Sequence, residues 1–309
     1  MDLAIITAKQ VFELFILIFC GVFVGKIKMI NEEGKGIFSN FLINFVVPFM
    51  IINSYMTGFN TEILGNMGRM LFYSILTIFV GMIISILVTL LVKKEVRGII
   101  RFATTFSNAA YMGFPLIQAL YGTEGVLYAS IYVTVFNISL WTIGIIFVTD
   151  SMSIKELAKK ILTCPAIISV VIGLVIFFSR IQVADVLKDT FSTVSAMNTP
   201  LSMIITGVTI SQFSLLSILK DKRVYFTILL RMFIIPVVTT LIMYAINARG
   251  MVAVIAIILE ACPCAAITTV FAINFKQDQK LAVGAVTLST LISIITLPAL
   301  ALLASRIIM

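Results

Sequence analysis

Ten apolar stretches, each long enough for a membrane-spanning helix, constrain this sequence more than any other feature. A helix needs about 20 apolar residues to cross the hydrocarbon core of a bilayer. Hydrophobic residues make up 61% of the chain and charged residues 12%, with a mean hydropathy of +1.15, which excludes an ordinary soluble domain. The stretches cover residues 7–25, 36–56, 70–92, 102–122, 125–149, 161–179, 191–212, 224–247, 251–275 and 281–304. The sequence therefore predicts an all-α integral membrane protein with ten transmembrane helices and one membrane domain over residues 1–309.

The positive charge of the chain has a distribution that indicates membrane orientation. A net charge of +8 raises nucleic acid as a partner, but Lys and Arg concentrate in alternate connectors, such as 93–101. That bias marks the cytoplasmic side of a membrane protein. It predicts the cytoplasmic membrane as location, both termini outside, membrane lipid as a partner, and no nucleic acid. Arg231, within the eighth stretch, is expected to snorkel to the interface, with attraction of an anion as the alternative.

The fourth and ninth stretches are both interrupted near their middle. The fourth carries Asn108, Gly113 and Pro115, and the ninth carries Glu260 and Pro263. Because proline lacks a backbone donor and clashes with the preceding turn, each stretch is predicted to form two half-helices. Unwound backbone inside a bilayer is tolerated only where it is buried in protein or lines a cavity. A matching pair of interrupted spans points to the binding site of a transporter.

The proline positions also suggest an internal repeat. Pro48 in the second stretch corresponds to Pro200 in the seventh, as Pro115 corresponds to Pro263. Five spans per half would place the two halves in opposite orientations, so we predict an inverted 5+5 repeat; chance agreement among prolines is the alternative. The predicted boundaries are repeat 1 at about 7–149, a linker at about 150–160, and repeat 2 at about 161–304.

Residues that would support enzymatic or metal chemistry are scarce. Histidine is absent, and the four cysteines all lie in apolar segments, where small-residue packing is expected rather than disulfides. Cys262-Pro263-Cys264 is similar to the motif of copper-transporting P-type ATPases, but the Asp-Lys-Thr-Gly phosphorylation motif of those pumps is missing. We therefore predict neither a catalytic residue nor a metal site.

Several motifs, in order along nearly the whole chain, resemble the auxin efflux carrier family. They are SNAAYMGFPLIQALYG (107–122), NFVVPFMIINS (44–54), PLSMIITGVTIS (200–211) and the segment 259–298. The resemblance implies ten spans in an inverted repeat, with broken helices 4 and 9 crossing near the middle of the membrane. The implied fold is also similar to that of the bile-acid/sodium symporters, an architecture in which homodimers are common.

The function implied by this resemblance is secondary transport of a small organic anion by alternating access. Bacterial members of the family are assigned to carboxylates such as malate or malonate. The alternatives are a passive anion channel and a symporter of another organic acid coupled to sodium or protons. No cofactor is expected apart from a coupling Na⁺ or H⁺.

The residues proposed to contact the substrate are polar side chains within apolar stretches. Asn108 is the first choice, with capping of unwound backbone as its alternative role. Asn137 and Ser54 are added by resemblance, with interhelical hydrogen bonding as the alternative role of Asn137. Asn198, just before Pro200, is the counterpart of Ser54 in the second half, with helix capping as its alternative, and Tyr111, also in this set, shapes the first break. Gly113, Pro115 and Pro263 are assigned to the helix breaks and the crossover. Glu260 has no sequence-local partner and is the candidate for ion coupling, with a protonated carboxyl hydrogen-bonded to backbone as the alternative.

Overall fold

The computed structural model describes residues 3–56, 60–149, 154–212 and 220–308. Helix accounts for 85% of the structure, and these ranges contain no strand. Helices α1–α4 are Leu3–Lys26, Glu32–Tyr55, Thr61–Val88 and Lys94–Thr105. The helical stretch Ala109–Val148 changes direction at Gly122, whose φ of 61° and ψ of −153° are not helical, so we number 109–121 as α5 and 123–148 as α6. Helices α7–α14 are Ile154–Leu162, Pro165–Ser179, Asp185–Ala196, Asn198–Ser211, Lys222–Ala245, Met251–Ala261, Ile267–Asn274 and Gln279–Ile308.

Five of these helical stretches are long and apolar enough to cross a membrane, judged by length and composition over the described ranges. They are α2, α3, the stretch Ala109–Val148, α11 and α14, and shorter apolar helices occur at α8 and α12. Of the predicted linker, residues 150–153 lie outside the described residues, and the remainder falls in α7. The chain is thus a multi-pass helical membrane protein.

Three prolines within helical stretches follow π-helical turns. Such turns occupy Leu42–Val46, Ala109–Gly113 and Leu230–Ile234, and each ends two residues before a proline. A proline ring clashes with the carbonyl four residues earlier. A π turn inserts one extra residue into the helix and changes which carbonyls meet the ring. The helices therefore continue through Pro48, Pro115 and Pro236 instead of ending there.

The two predicted interruptions differ in their relation to proline. In the ninth stretch, the backbone leaves the helix between α12 and α13, at a segment that contains Pro263. In the fourth stretch, the break lies at 106–108, before the π turn, and Pro115 sits inside α5. The assignment of Pro115 to the break itself is therefore wrong. The first half-helix also begins earlier than predicted, at Lys94, and so includes part of the basic connector.

Packing divides the helices into two groups. In the first, α1 packs along α10, and α2 contacts α8, α9 and α10. In the second, α3, α4, α6, α11, α12 and α14 surround the two breaks, and α12 is buried over almost its whole length. The groups meet where α1 contacts α14 and where α10 contacts the first turn of α5. The breaks thus lie in the second group, next to its boundary with the first.

The contact between α1 and α10 depends on glycine at two facing positions. A Cβ atom at Gly21 would lie 2.3 Å from the carbonyl oxygen of Ile204, and one at Gly207 would lie 2.0 Å from that of Ile18. Only a missing side chain allows two helix backbones to approach this closely.

Replacement of Gly207 by Val is expected to destabilise the protein, because the new side chain must separate α1 from α10. Overpacking of this kind costs about 1–3 kcal/mol, and backbone atoms cannot move aside as a side chain can. Thermal unfolding of the purified protein in detergent would measure the loss. Gly68→Val is the matched control, since a Cβ atom there meets nothing within 4 Å. Equal stability of the two variants would contradict the predicted close contact.

Candidate functional site at the helix crossing

The two broken segments cross and pair with each other through their backbones. The amide of Asn108 donates to the carbonyl of Pro263 at 2.7 Å, and the amide of Ala265 donates to the carbonyl of Phe106 at 2.9 Å. Ser107 and Cys264 form an isolated antiparallel bridge between these two bonds. The hydroxyl of Ser289 on α14 accepts from the amide of Cys264 at 3.0 Å. Each break thus provides hydrogen-bond partners for some of the backbone groups that are left unpaired in the other break.

Arg231 is the second element that holds the crossing together. Its side chain is completely buried, and its three nitrogens contact five oxygens. Nη1 donates to the carbonyls of Thr104 and Thr105 at 2.9 and 3.1 Å, and Nε donates to the carbonyl of Cys262 at 3.1 Å. Nη2 donates to the carbonyl of Glu260. These carbonyls belong to the C-terminal ends of α4 and α12, which have no helical partner for them.

The expectation that Arg231 snorkels to the membrane interface is therefore wrong. The negative ends of two helix dipoles meet at its guanidinium. Five N–H donors in a planar fork can serve carbonyls on two helix ends at once, whereas the ammonium of a lysine has only three donors on a single nitrogen. The interior offers this side chain more ligands than a lipid headgroup would, so it points inward.

Glu260 supplies the counterion to Arg231. Its Oε1 lies 3.0 Å from Nη1 of Arg231, and the hydroxyl of Tyr132 on α6 donates to its Oε2 at 2.7 Å. Both the carboxylate and the guanidinium are fully buried. Glu260 has no ionic partner nearby in the sequence, and the partner that it finds comes from another helix. Gly81 on α3 leaves room for the carboxylate, since a Cβ atom there would lie 3.1 Å from Oε1.

Asn108 begins the second half-helix of the first broken segment. It occupies the position before α5, and its carbonyl accepts from the amides of Met112 and Gly113 at 3.0 and 3.2 Å. Its side chain makes no capping hydrogen bond. The alternative role as a side-chain cap is therefore absent here. The side-chain amide of a buried residue is left for another partner.

The first turn of α5 faces the other group of helices. Tyr111, in this turn and half-buried, lies near Ser39 of α2. Helix α10 contacts the same turn and begins with Asn198, which is buried. Neither the nitrogen nor the oxygen of the Asn198 amide has a hydrogen-bond partner within the described parts of the chain. An unpaired buried amide lowers the stability of the folded protein. A ligand that hydrogen-bonds to the Asn198 amide would remove this cost.

The two other predicted contact residues have bonds within their own helices. The side-chain amide of Asn137 donates to the carbonyl of Val133 at 2.8 Å. The hydroxyl of Ser54 donates to the carbonyl of Ile51 at 2.6 Å. Asn137 follows Phe136, whose ring lies edge-on to that of Phe106 in the break, at 5.5 Å between centroids. Successive helix residues do not share a face. Asn137 therefore lies beside the face of α6 that meets the crossing.

Gly113 allows α12 to pass close to the start of α5. A Cβ atom at Gly113 would lie 2.6 Å from Cδ2 of Leu259 and 3.6 Å from Sγ of Cys262. Cys262 and Cys264 flank Pro263, are buried and carry free thiols. Within the described ranges, no three potential metal-ligating side chains of the His, Cys, Asp and Glu types are grouped together.

Two broken helices that cross around buried polar groups are typical of transporters with discontinuous helices. The comparisons with known proteins agree. The family described as "Membrane transport protein" matches residues 6–159 and 149–301, and the chain belongs to this family, that of the auxin efflux carriers. An uncharacterized transporter of Methanothermobacter thermautotrophicus is 21% identical over 300 residues, which cover 94% of this chain and 96% of the relative. The protein is a membrane transporter and not an enzyme.

Arg231 is the site residue whose role was not recognised from the sequence. The signal was available, because a charged residue well inside an apolar stretch is rare and usually functional. Its distance from the interface was short enough for snorkelling, and its ligands are mostly backbone carbonyls. Backbone carbonyls carry no sequence signature.

Removal of one member of the buried ion pair should cost more than removal of both. Arg231→Met would leave the Glu260 carboxylate buried without a counterion, and we expect a loss of about 3–5 kcal/mol in the free energy of unfolding. Adding Glu260→Gln removes that unpaired charge and keeps an acceptor for Tyr132, so the double variant should recover part of the loss. Chemical unfolding of Arg231→Met, Glu260→Gln and the double variant would give the coupling free energy between the two side chains.

The control for this cycle is Arg223→Met, on the same helix. Arg223 pairs with Asp221 and Asp278 at 2.6 and 2.8 Å, but 42% of its side chain is exposed. Exposed ion pairs contribute about 0–1 kcal/mol. If the effects of Arg231→Met and Glu260→Gln simply add, the two side chains do not form a coupled pair.

Proposed function

We propose that this protein is a secondary carrier of a small organic anion, such as a malate- or malonate-like carboxylate, and works by alternating access. The observation that supports this most is the backbone pairing of the two helix breaks, with the side-chain amide of Asn108 uncommitted beside it. The unpaired amide of Asn198 lies in α10, the helix that contacts the first turn of α5. Binding groups at broken helices are characteristic of secondary transporters.

The charges at the crossing favour an anion as the substrate. Arg231 and Glu260 neutralise each other, and Arg231 also offsets the negative ends of α4 and α12. The positive end of α5 has no side-chain cap to offset it. A carboxylate could accept from first-turn amides and from the side chain of Asn108, as anions do at helix N-termini. Such a site holds an anion without the strong attraction of an unpaired arginine.

The same site lies where the two groups of helices meet. We propose that the substrate contacts residues of both groups. They are Asn108 and Tyr111 beside the crossing, Asn198 and Ser54 from the first group, and Asn137 next to them. Rocking of one group against the other would then expose the site to each side of the membrane in turn.

The topology proposed for this mechanism has ten spans in an inverted 5+5 repeat. Spans 4 and 9 are the broken pairs α4–α5 and α12–α13, and their crossing is placed near the middle of the cytoplasmic membrane. The bias of Lys and Arg supports both termini outside. A homodimer is proposed from the architecture that the sequence resembles.

Uptake of labelled malate and malonate into proteoliposomes tests this function. A carrier should show saturable uptake that is accelerated by unlabelled substrate inside the vesicles. Internal substrate binds the inward-facing site, and the loaded carrier then reorients and exposes the site to the outside again. With the membrane potential held at zero, a channel would show no such acceleration. Absence of uptake for every small mono- and dicarboxylate tried, in correctly inserted protein, would overturn the proposal.

Asn108→Ala should reduce this uptake by about 10- to 100-fold, because one hydrogen bond to a charged group contributes about 1.5–3 kcal/mol. Asn108→Asp should be at least as damaging, because it places a negative charge beside the anion. Measurements of initial rate at equal amounts of inserted protein provide the test.

Asn40→Ala is the matched control, since it removes the same side chain from an exposed position on α2 and should leave uptake unchanged. Normal uptake by Asn108→Asp would show that Asn108 does not face the anion.

A further inference from the structure

The ends of α4 and α12 together form a site suited to a cation. Four backbone carbonyls, from Thr104, Thr105, Glu260 and Cys262, surround the same guanidinium together with the Glu260 carboxylate. In transporters with discontinuous helices, unwound carbonyls and half-helix C-terminal ends coordinate the coupling Na⁺. The donor set at this crossing is of that kind, and it has one carboxylate to balance one positive charge.

That place is filled by a side chain of the protein. The guanidinium of Arg231 contacts all five oxygens at hydrogen-bonding distance and is completely buried. A metal ion could reach these oxygens only by displacing it. The displaced guanidinium would then lie in the protein interior without a counterion, at high cost. The residues present therefore do not fit a sodium ion.

We infer that Arg231 is a built-in cation, which takes the place of a transported coupling ion and makes transport independent of sodium. Because the guanidinium is covalently attached to α11, it can neutralise the two helix ends in every conformation without crossing the membrane. Glu260 then serves as its fixed counterion. This inference rests on the proposed carrier function for its transport consequence, but the occupancy of the cation site can be tested without any substrate.

The first test is cation binding to the wild-type protein in detergent. A ligand that binds the folded state raises the unfolding temperature with its concentration. We expect the same unfolding temperature in sodium, potassium and choline chloride at equal ionic strength. A saturable rise that is specific for sodium would overturn the inference, whether or not a substrate has been found.

The second test uses malonate uptake into proteoliposomes as the probe. If one sodium ion moved with each anion, a tenfold inward sodium gradient would raise the final ratio of internal to external malonate by about tenfold. We expect no change when sodium is replaced by choline on both sides. Sodium-dependent accumulation would overturn the inference and leave the carrier function standing. If malonate is not taken up at all, the proposed substrate is wrong and the binding test alone decides.

The third test restores the missing group. Arg231→Ala should leave a space lined by the same carbonyls and the Glu260 carboxylate. Millimolar guanidinium or methylguanidinium should therefore raise its unfolding temperature, and should not do so for wild type or for Arg223→Ala. Failure of a folded Arg231→Ala protein to respond to either ion would show that the place is not a cation site. If this variant does not fold, the wild-type binding test still decides.

Discussion

The buried guanidinium of Arg231 is the interaction on which the rest of this structure depends. Two helices end inside the protein with their carbonyls directed towards each other, an arrangement that would be repulsive and unsatisfied without a positive donor between them. One arginine supplies both the charge and the hydrogen bonds, and Glu260 balances it. The crossing of two broken helices is therefore an electrostatic assembly as much as a hydrophobic one.

Because Arg231 and Glu260 balance the charge at the C-terminal ends of α4 and α12, the N-terminal end of α5 is a helix end at the crossing that is not offset. With the negative helix ends offset by Arg231, the uncapped start of α5 is left as a positive helix end beside the uncommitted side-chain amide of Asn108. The unpaired amide of Asn198 belongs to α10, the helix that contacts this first turn. Weak, distributed donors of this kind suit a carrier, which must release its substrate as readily as it binds it. The π turn at the start of α5 carries Tyr111 to the boundary with α2, where relative movement of the two groups would act on the site.

The sequence predicted much of this architecture but not the connections at its centre. The second interruption follows from the backbone chemistry that Pro263 imposes, and the presence of a first interruption near Asn108 is also confirmed. The first break was placed correctly at Asn108 but wrongly extended to Pro115, because a π turn can absorb a proline that an ideal helix cannot. Glu260 has no ionic partner among its sequence neighbours, and only the folded chain brings Arg231 to it.

What the sequence by itself determined is local: which stretches are apolar, where the helical hydrogen-bond pattern must fail, and which polar side chains lie in apolar surroundings. Only the tertiary structure decided how these failures are repaired. Arg231 meets Thr104 across 127 residues and Glu260 across 29, and Asn108 pairs with Pro263 through backbone atoms alone. Backbone carbonyls are the same in every residue, so no sequence pattern can identify them as ligands. Their positions, and hence the charge balance of the site, are fixed only when the two broken helices cross.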